Sequence, residues 1–377
     1  MSESNLLMNK LFAEHHSSIS KNNDFIDYQN KDFLPHRKIY AFYLPQFHEM
    51  SINNIAWGTG FTEWTNVIKG VPRFEGHRLP RIPRDFGFYD LTSSKIIERQ
   101  IKSAKNYGIS GFITYLYFFD QNIKPMIEVV DRLYMLAEKL DFEIGLMWVN
   151  ENWTRIWDGS ENEIIIKQNY PHNYCHNLFN LTAKYLQSPC YPSFFNKKSM
   201  LVYRPWLLPN SHEFVRNFKE LCEQSNFEID LGMPFQPNLP TSQKYDFDFS
   251  FEFSPLINSF KKQEKSTIRV FDEKFSGRVF KYEEIIEDSL RQMSPHVIKT
   301  VSPGWDNSPR KPINSLTIYD DKPLLFKYWI ENIIKNNPLP IFVNAWNEWA
   351  ECAYLEPDTH FGWGYLNAIS EALTSKK

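Results

Sequence analysis

Two regimes of hydrophobic and polar positions alternate along the chain. Short unbroken apolar runs, the pattern of strands buried on both faces, fall at 38–44, 109–117, 142–149, 199–203, 229–235, 247–253, 297–301 and 341–346. Between them apolar residues recur at helical spacing. Thr92 can cap a helix that turns Ile97, Ile101 and Ala104 to one face and stops at Gly108, a residue suited to a left-handed C′ position. Pro125 suits the start of another, with Val129, Leu133, Leu136, Ala137 and Leu140 on its buried face. Phe214, Phe218 and Leu221 mark a third, Leu325, Trp329 and Ile333 a fourth, and Leu366, Ile369 and Leu373 a closing helix. Eight strands alternating with helices predict an α/β protein, a (β/α)8 TIM barrel built as a single domain over 38–377 with long βα loops. The fifth-to-sixth connection is too short for an ordinary helix. A doubly wound sheet is the rival architecture, but no glycine-rich phosphate loop follows the first strand. Residues 1–37 are polar and predict a flexible leader or a partial helix.

A barrel of this kind carries its chemistry just after its strands. Those positions hold Tyr43, Gln46 and His48 after the first strand, then Glu63 and Trp64 in a long loop. Tyr115 and Tyr117 end the second. The third runs into Trp148, Asn150, Glu151, Asn152, Trp153, Arg155 and Trp157. Tyr203 and Arg204 follow the fourth, Gln236 the fifth, Glu252 the sixth, and Trp305 and Asp306 the seventh. The eighth delivers Asn344, Trp346, Asn347, Glu348 and Glu351. Two carboxylates and two indoles in so small a volume suit sugar chemistry. Carboxylate pairs move protons at glycosidic oxygens, and indole faces stack on pyranose rings. The plainer alternative for Glu348 and Glu351 is a pair of solvated acids at a helix start. Glu151 has its own alternative, an ion pair with Arg155 at i+4. Asp306 could belong to a tight turn, His48 could be a hydrogen-bonded structural histidine, and Arg204 could pair with a core acid.

Charge and composition narrow the partners. With 42 basic and 45 acidic residues the net charge is −3, so no nucleic-acid partner is indicated. Aromatic residues make up 16% of the chain, including 11 Trp, more than packing alone demands, which in a neutral protein fits a carbohydrate ligand. Cys175, Cys190, Cys222 and Cys352 are widely spread without a CxxC and predict reduced thiols. No HExxH or P-loop is present, and Asp246-Phe247-Asp248 falls at the wrong end of its strand to hold a metal-bound nucleotide-sugar. No metal and no cofactor are therefore expected. No run approaches the ~20 apolar residues of a membrane span, which predicts a soluble, cytoplasmic protein. Its oligomeric state is not legible.

Several stretches also resemble a known family. Phe42-Tyr43-Leu44-Pro45-Gln46-Phe47-His48, Gly58-Thr59-Gly60-Phe61-Thr62-Glu63-Trp64, Trp148-Val149-Asn150-Glu151-Asn152-Trp153, Pro303-Gly304-Trp305-Asp306-Asn307 and 344–356 resemble, in this order, the WbsX family of bacterial surface-polysaccharide gene clusters. That family is described as glycosyltransferase-like and is similar to the family 99 glycoside hydrolases, endo-α-mannosidases on a (β/α)8 barrel. The resemblance implies an enzyme that cleaves or transfers at glycosidic bonds during polysaccharide assembly or remodelling, such as that of lipopolysaccharide O-antigen or capsule. It further implies that Glu348 is the base that deprotonates the substrate's own 2-hydroxyl. Glu351 would then protonate the departing oxygen, with Trp346 and Trp349 desolvating it, and Glu151 would be a third carboxylate. One departure stands out: the family's Tyr-His-Tyr-Trp-Phe is here Tyr115-Leu116-Tyr117-Phe118-Phe119. The loss of that imidazole and indole is what favours a second reading, a non-catalytic carbohydrate-binding protein on the same barrel.

Overall fold

The computed structural model describes residues 3–155, 160–235, 241–255, 268–272, 275–311 and 313–375. Trp157, Gln236 and the side chain of Arg155 lie outside the described part. Eight parallel strands form the core: β1 (Ile39–Tyr43), β2 (Gly111–Leu116), β3 (Glu143–Trp148), β4 (Lys198–Val202), β5 (Ile229–Phe235), β6 (Phe249–Glu252), β7 (Val297–Ile298 and Thr300–Val301) and β8 (Ile341–Val343). Each pairs with its sequence neighbour, and β1 pairs with β8. β7 closes the ring in two pieces. Val297 and Ile298 pair with β6, and Thr300 and Val301 pair with β8. The interruption is Lys299, a fully buried cation that forms an ion pair with Glu252 and donates to the Ser289 carbonyl at 3.0 Å.

Because both faces of a barrel strand are covered, β1 is buried along its whole length. Phe42 points into the barrel, where its ring meets those of Phe251 at 6.0 Å and Phe342 at 5.7 Å. Tyr43 points outward, and its hydroxyl donates to Gln100 at 2.8 Å. Gly232 of β5 is needed for close approach, since a Cβ there would lie 2.3 Å from the Phe249 ring.

The outer layer is α1 (Ser94–Asn106), α2 (Ile127–Leu140), α3 (Tyr174–Leu186), α4 (Ser211–Gln224), α5 (Tyr282–Arg291), α6 (Pro323–Asn336) and α7 (Gly364–Thr374). α1 starts after Ser93, so Thr92 is not its cap, whereas Gly108 does take the left-handed conformation at φ 88°. Between β5 and β6 the described residues hold only a 3-10 turn at Ser242–Tyr245. Asp246 and Asp248 are paired at the surface with His212 and Lys219. All four cysteines are buried free thiols. The stretch ahead of β1 begins with a helix, Glu3–Ile19, and then runs along the barrel between α7 and α1. Its Tyr28 ring meets Trp363 edge-on at 5.0 Å, the Gln29 amide donates to the Tyr107 hydroxyl at 2.9 Å, and the Lys31 ammonium donates to Asn367 at 2.6 Å. No helix of the described residues is long and apolar enough to cross a membrane.

Candidate active site

The chain leaves β8 at Asn344 and turns into a short hairpin. Asn347–Glu348 pairs antiparallel with Ala353–Tyr354, and Trp349–Glu351 makes a single 3-10 turn between them. Glu348 and Glu351 therefore sit on a hairpin, not at a helix start. Three anchors fix it. The Trp346 amide donates to the Phe42 carbonyl at 2.7 Å. The Asn347 side chain clamps the backbone of Leu44, accepting from its N–H at 2.8 Å and donating to its carbonyl at 3.0 Å. Underneath, Glu356 accepts from the Trp346 and Trp349 indoles at 3.0 and 2.7 Å, from Gln100 at 2.6 Å and from the Tyr89 hydroxyl at 2.8 Å. Burial pushes the Glu356 carboxyl up to about 7 against those four donors, which pull it down.

Glu348 and Glu351 border a cleft of about 480 Å³ at the C-terminal end of the barrel. Gln46 and Glu63 reach it from the loop after β1, Tyr115 and Tyr117 from β2, and Glu151, Asn152 and Trp153 from beyond β3. Tyr203 and Arg204 come from after β4, and Trp305 from after β7. Its floor rests on the inner aromatic layer, with the Phe42 ring 6.2 Å from Tyr115 and 5.1 Å from Phe253. Tyr115, Tyr117 and Phe119 line the cleft, while Leu116 and Phe118 between them are core residues. The two positions that depart from the family pattern thus do not line it.

Electrostatics separate the carboxyls. Burial raises Glu348 to about 7, with nearby Glu63 adding to the rise and Arg310 and the Tyr115 hydroxyl opposing it. Glu63 is also raised by burial, against Arg310, Asn66 and Lys69. Its Oε2 accepts from Asn66 at 3.4 Å, and its Oε1 has no partner among the described residues. Glu151 is raised by burial as well, opposed by its ion pair with Arg204 across the β3–β4 junction, while the Arg155 side chain proposed as its partner lies outside the described residues. Glu351 is ion-paired with Arg310, an arrangement that suits a carboxylate. Trp346 and Trp349 give their N–H groups to Glu356 and so brace the hairpin that carries both glutamates.

The other predicted ligands are held by the fold. Tyr43 bonds Gln100, as above. The Trp64 indole donates to the Tyr89 carbonyl at 2.8 Å and the Trp148 indole to the Phe118 carbonyl at 3.2 Å. Asn150 ties β3 to β4, accepting from the Arg204 amide at 2.7 Å and donating to the Arg204 carbonyl at 2.8 Å. Glu252 is the partner of Lys299. Asp306 is buried against His77 at 2.6 Å, with the His77 ring nearest it holding its carboxyl below the usual range against burial. It thereby braces the neighbouring Trp305. Asn344 donates to the Ser254 carbonyl at 2.6 Å. His48 borders a separate hollow with Glu128 and Arg132. Sequence reading missed Arg310 and Glu356, and also Phe119, Leu207 and Phe253 on the cleft wall. Among the described residues no group of three or more His, Cys, Asp or Glu could hold a metal ion.

Comparison with known proteins identifies the family and the fold. The family model described as Glycosyltransferase WbsX matches residues 39–369. Uncharacterized proteins WxcX from two strains of Xanthomonas campestris pv. campestris are 34% and 33% identical over 346 residues, 89% of this chain. The chain spans about half, 49%, of the length of these relatives. Among solved structures, a GH99 endo-α-mannosidase from Bacteroides thetaiotaomicron aligns at a TM-score of 0.56 and 14% identity, over 89% of this chain and 96% of that one. A glycoside hydrolase-like protein aligns at 0.59 and 13%, over 96% and 99%. At such identity the two structures speak for the barrel alone. The family match spans nearly the whole barrel: the chain belongs to the WbsX glycosyltransferase family.

Proposed function

We propose that this chain is an enzyme that cleaves or transfers at glycosidic bonds in the assembly or remodelling of a bacterial surface polysaccharide such as lipopolysaccharide O-antigen or capsule, and that it works in the cytoplasm. The observation that carries the reading is one cleft holding a buried carboxyl near neutrality, Glu348, beside a carboxylate fixed by a guanidinium, Glu351. Glycosidic chemistry needs one carboxyl that can exchange a proton and one that stays charged. The resemblance gave the acid role to Glu351; the ion pair with Arg310 opposes a proton there, and proton delivery to the leaving oxygen belongs to Glu348. Tyr115, Tyr117, Trp153 and Trp305 supply ring faces and hydroxyls for a sugar. The cleft walls differ in character: Phe119, Leu207 and Phe253 are apolar, and Glu63, Arg310 and the hairpin are charged.

The test incubates the protein with its host's polysaccharide repeat units and detects products by mass spectrometry. Shortened or extended oligosaccharides are expected with the native chain and not with Glu348→Gln/Glu351→Gln. Unchanged oligosaccharides retained equally by both forms would instead establish the non-catalytic binding protein. Once activity is detected, a substrate with an activated leaving group assigns the acid. Glu348→Gln should keep most turnover on it and lose about 10²–10⁴-fold on the natural linkage. The opposite pattern, with Glu351→Gln rescued, would restore the roles implied by the family.

A further inference from the structure

Three carboxyls of the cleft, Glu63, Glu348 and Glu351, border it together with a single guanidinium on that side, Arg310. Arg310 is committed by geometry to Glu351, with which it forms the ion pair. Glu63 and Glu348 are both buried, and Glu63 lies close enough to Glu348 to oppose its ionisation. Two buried carboxylates and a partly buried third against one cation would leave two negative charges uncompensated in a site walled by aromatic rings, a costly arrangement that proton uptake relieves. The other groups facing the pair do not supply that charge. Tyr115, Tyr117 and Tyr203 are hydroxyls that stay protonated, their ionisation pushed up by burial. Arg204 is paired with Glu151 on the far wall, and the exposed Lys69 reaches Glu63 only as a minor influence. Glu63 Oε1, buried and without a partner among the described residues, is free to carry a hydrogen.

We infer that Arg310 divides the protons of this site, fixing Glu351 as a carboxylate and leaving Glu63 and Glu348 to hold one proton between them. This rests on the glycosidic reading for its purpose but not for its detection. Glu63 is a positioning residue that stores the proton Glu348 exchanges with substrate, and Arg310 sets the pH at which the store empties.

Infrared difference spectra recorded across a pH titration of the unliganded protein read the protonated carboxyl directly. A carboxyl band lost near neutral pH is expected in the native chain and expected to be displaced to lower pH in both Glu63→Gln and Glu348→Gln, since each removes one like charge from the other. Arg310→Gln should move the midpoint upward, and Arg310→Lys, which keeps the charge, should return it toward the native value. Independence of the two glutamates, seen as a Glu348 band unmoved by Glu63→Gln, would overturn the inference, as would a midpoint unmoved by Arg310→Gln. Circular dichroism of each variant controls for misfolding. A shared proton in a chain that turns over no saccharide would sink the proposed activity and leave the proton sharing standing.

Discussion

Glu348 shows how a site residue works against the fold that holds it. Its carboxyl is raised from 4.5 to about 7, so between those values the folded chain keeps a proton that the unfolded chain has released. The contribution is fully present below the unfolded pKa and is lost as pH rises through the folded one. At pH 8 the native chain therefore carries a buried charge that Glu348→Gln lacks. The variant should be more stable there by about 1–3 kcal/mol and nearly equal to the native chain at pH 4, as read by urea unfolding at both values. Equal stability at pH 8 would mean that the carboxylate is well solvated. Glu356 differs, although its carboxyl lies equally high, because four donors converge on it. Glutamine would turn an N–H₂ toward N–H groups, so Glu356→Gln should lose roughly 1–3 kcal/mol and alter tryptophan fluorescence. Sequence reading found Glu348 and Glu351 because a strand end marks them. Glu356 lies just past the return arm of the hairpin, and Arg310 lies in a loop well past β7, where no periodicity announces a residue. Only the fold brings either to the site.

At the scale of elements, the strands were legible because parallel pairing buries both faces and leaves unbroken apolar runs. α3 and α5 were not. The buried face of α3 includes Cys175, Thr182 and Tyr185, and α5 buries little beyond Tyr282, Ile285 and Ile286, so neither shows a plain apolar stripe. The step in β7 was equally hidden, since Lys299 inside an apolar run looks like a defect. It is the closure of the barrel. Lys299→Met would leave Glu252 buried without its cation and should cost about 3–5 kcal/mol. Adding Glu252→Leu should recover much of that loss in a double-mutant cycle, because a packed apolar pair often matches a buried ion pair. Losses that simply add would show that the two side chains do not interact.

For the whole molecule, the eight-fold alternation was enough to predict the barrel, but not the path of residues 20–37, whose polar sequence conceals a few well-placed rings. Gly108 illustrates the fit: it takes a left-handed turn, and a Cβ on it would lie 2.7 Å from the ring of Phe33. Tyr28 and Phe33 cover Trp363 and the end of α1 on one side of the barrel. Removing residues 1–37 should lower the melting temperature and increase exposure of Trp363 to a fluorescence quencher. An unchanged melting point would show that this segment contributes nothing to the barrel.

The same segment gives the molecule a polarity. The helix Glu3–Ile19 ends beside loops of the rim that carries the cleft, with Glu14 accepting from the Gly76 amide at 3.2 Å and the Ser20 carbonyl 2.9 Å from the His360 ring. α7, by contrast, runs back toward the opposite rim, antiparallel to the strands. A reporter placed on Glu14 would therefore stand on the cleft side of the barrel, whereas one placed on Thr374 would leave that doorway clear.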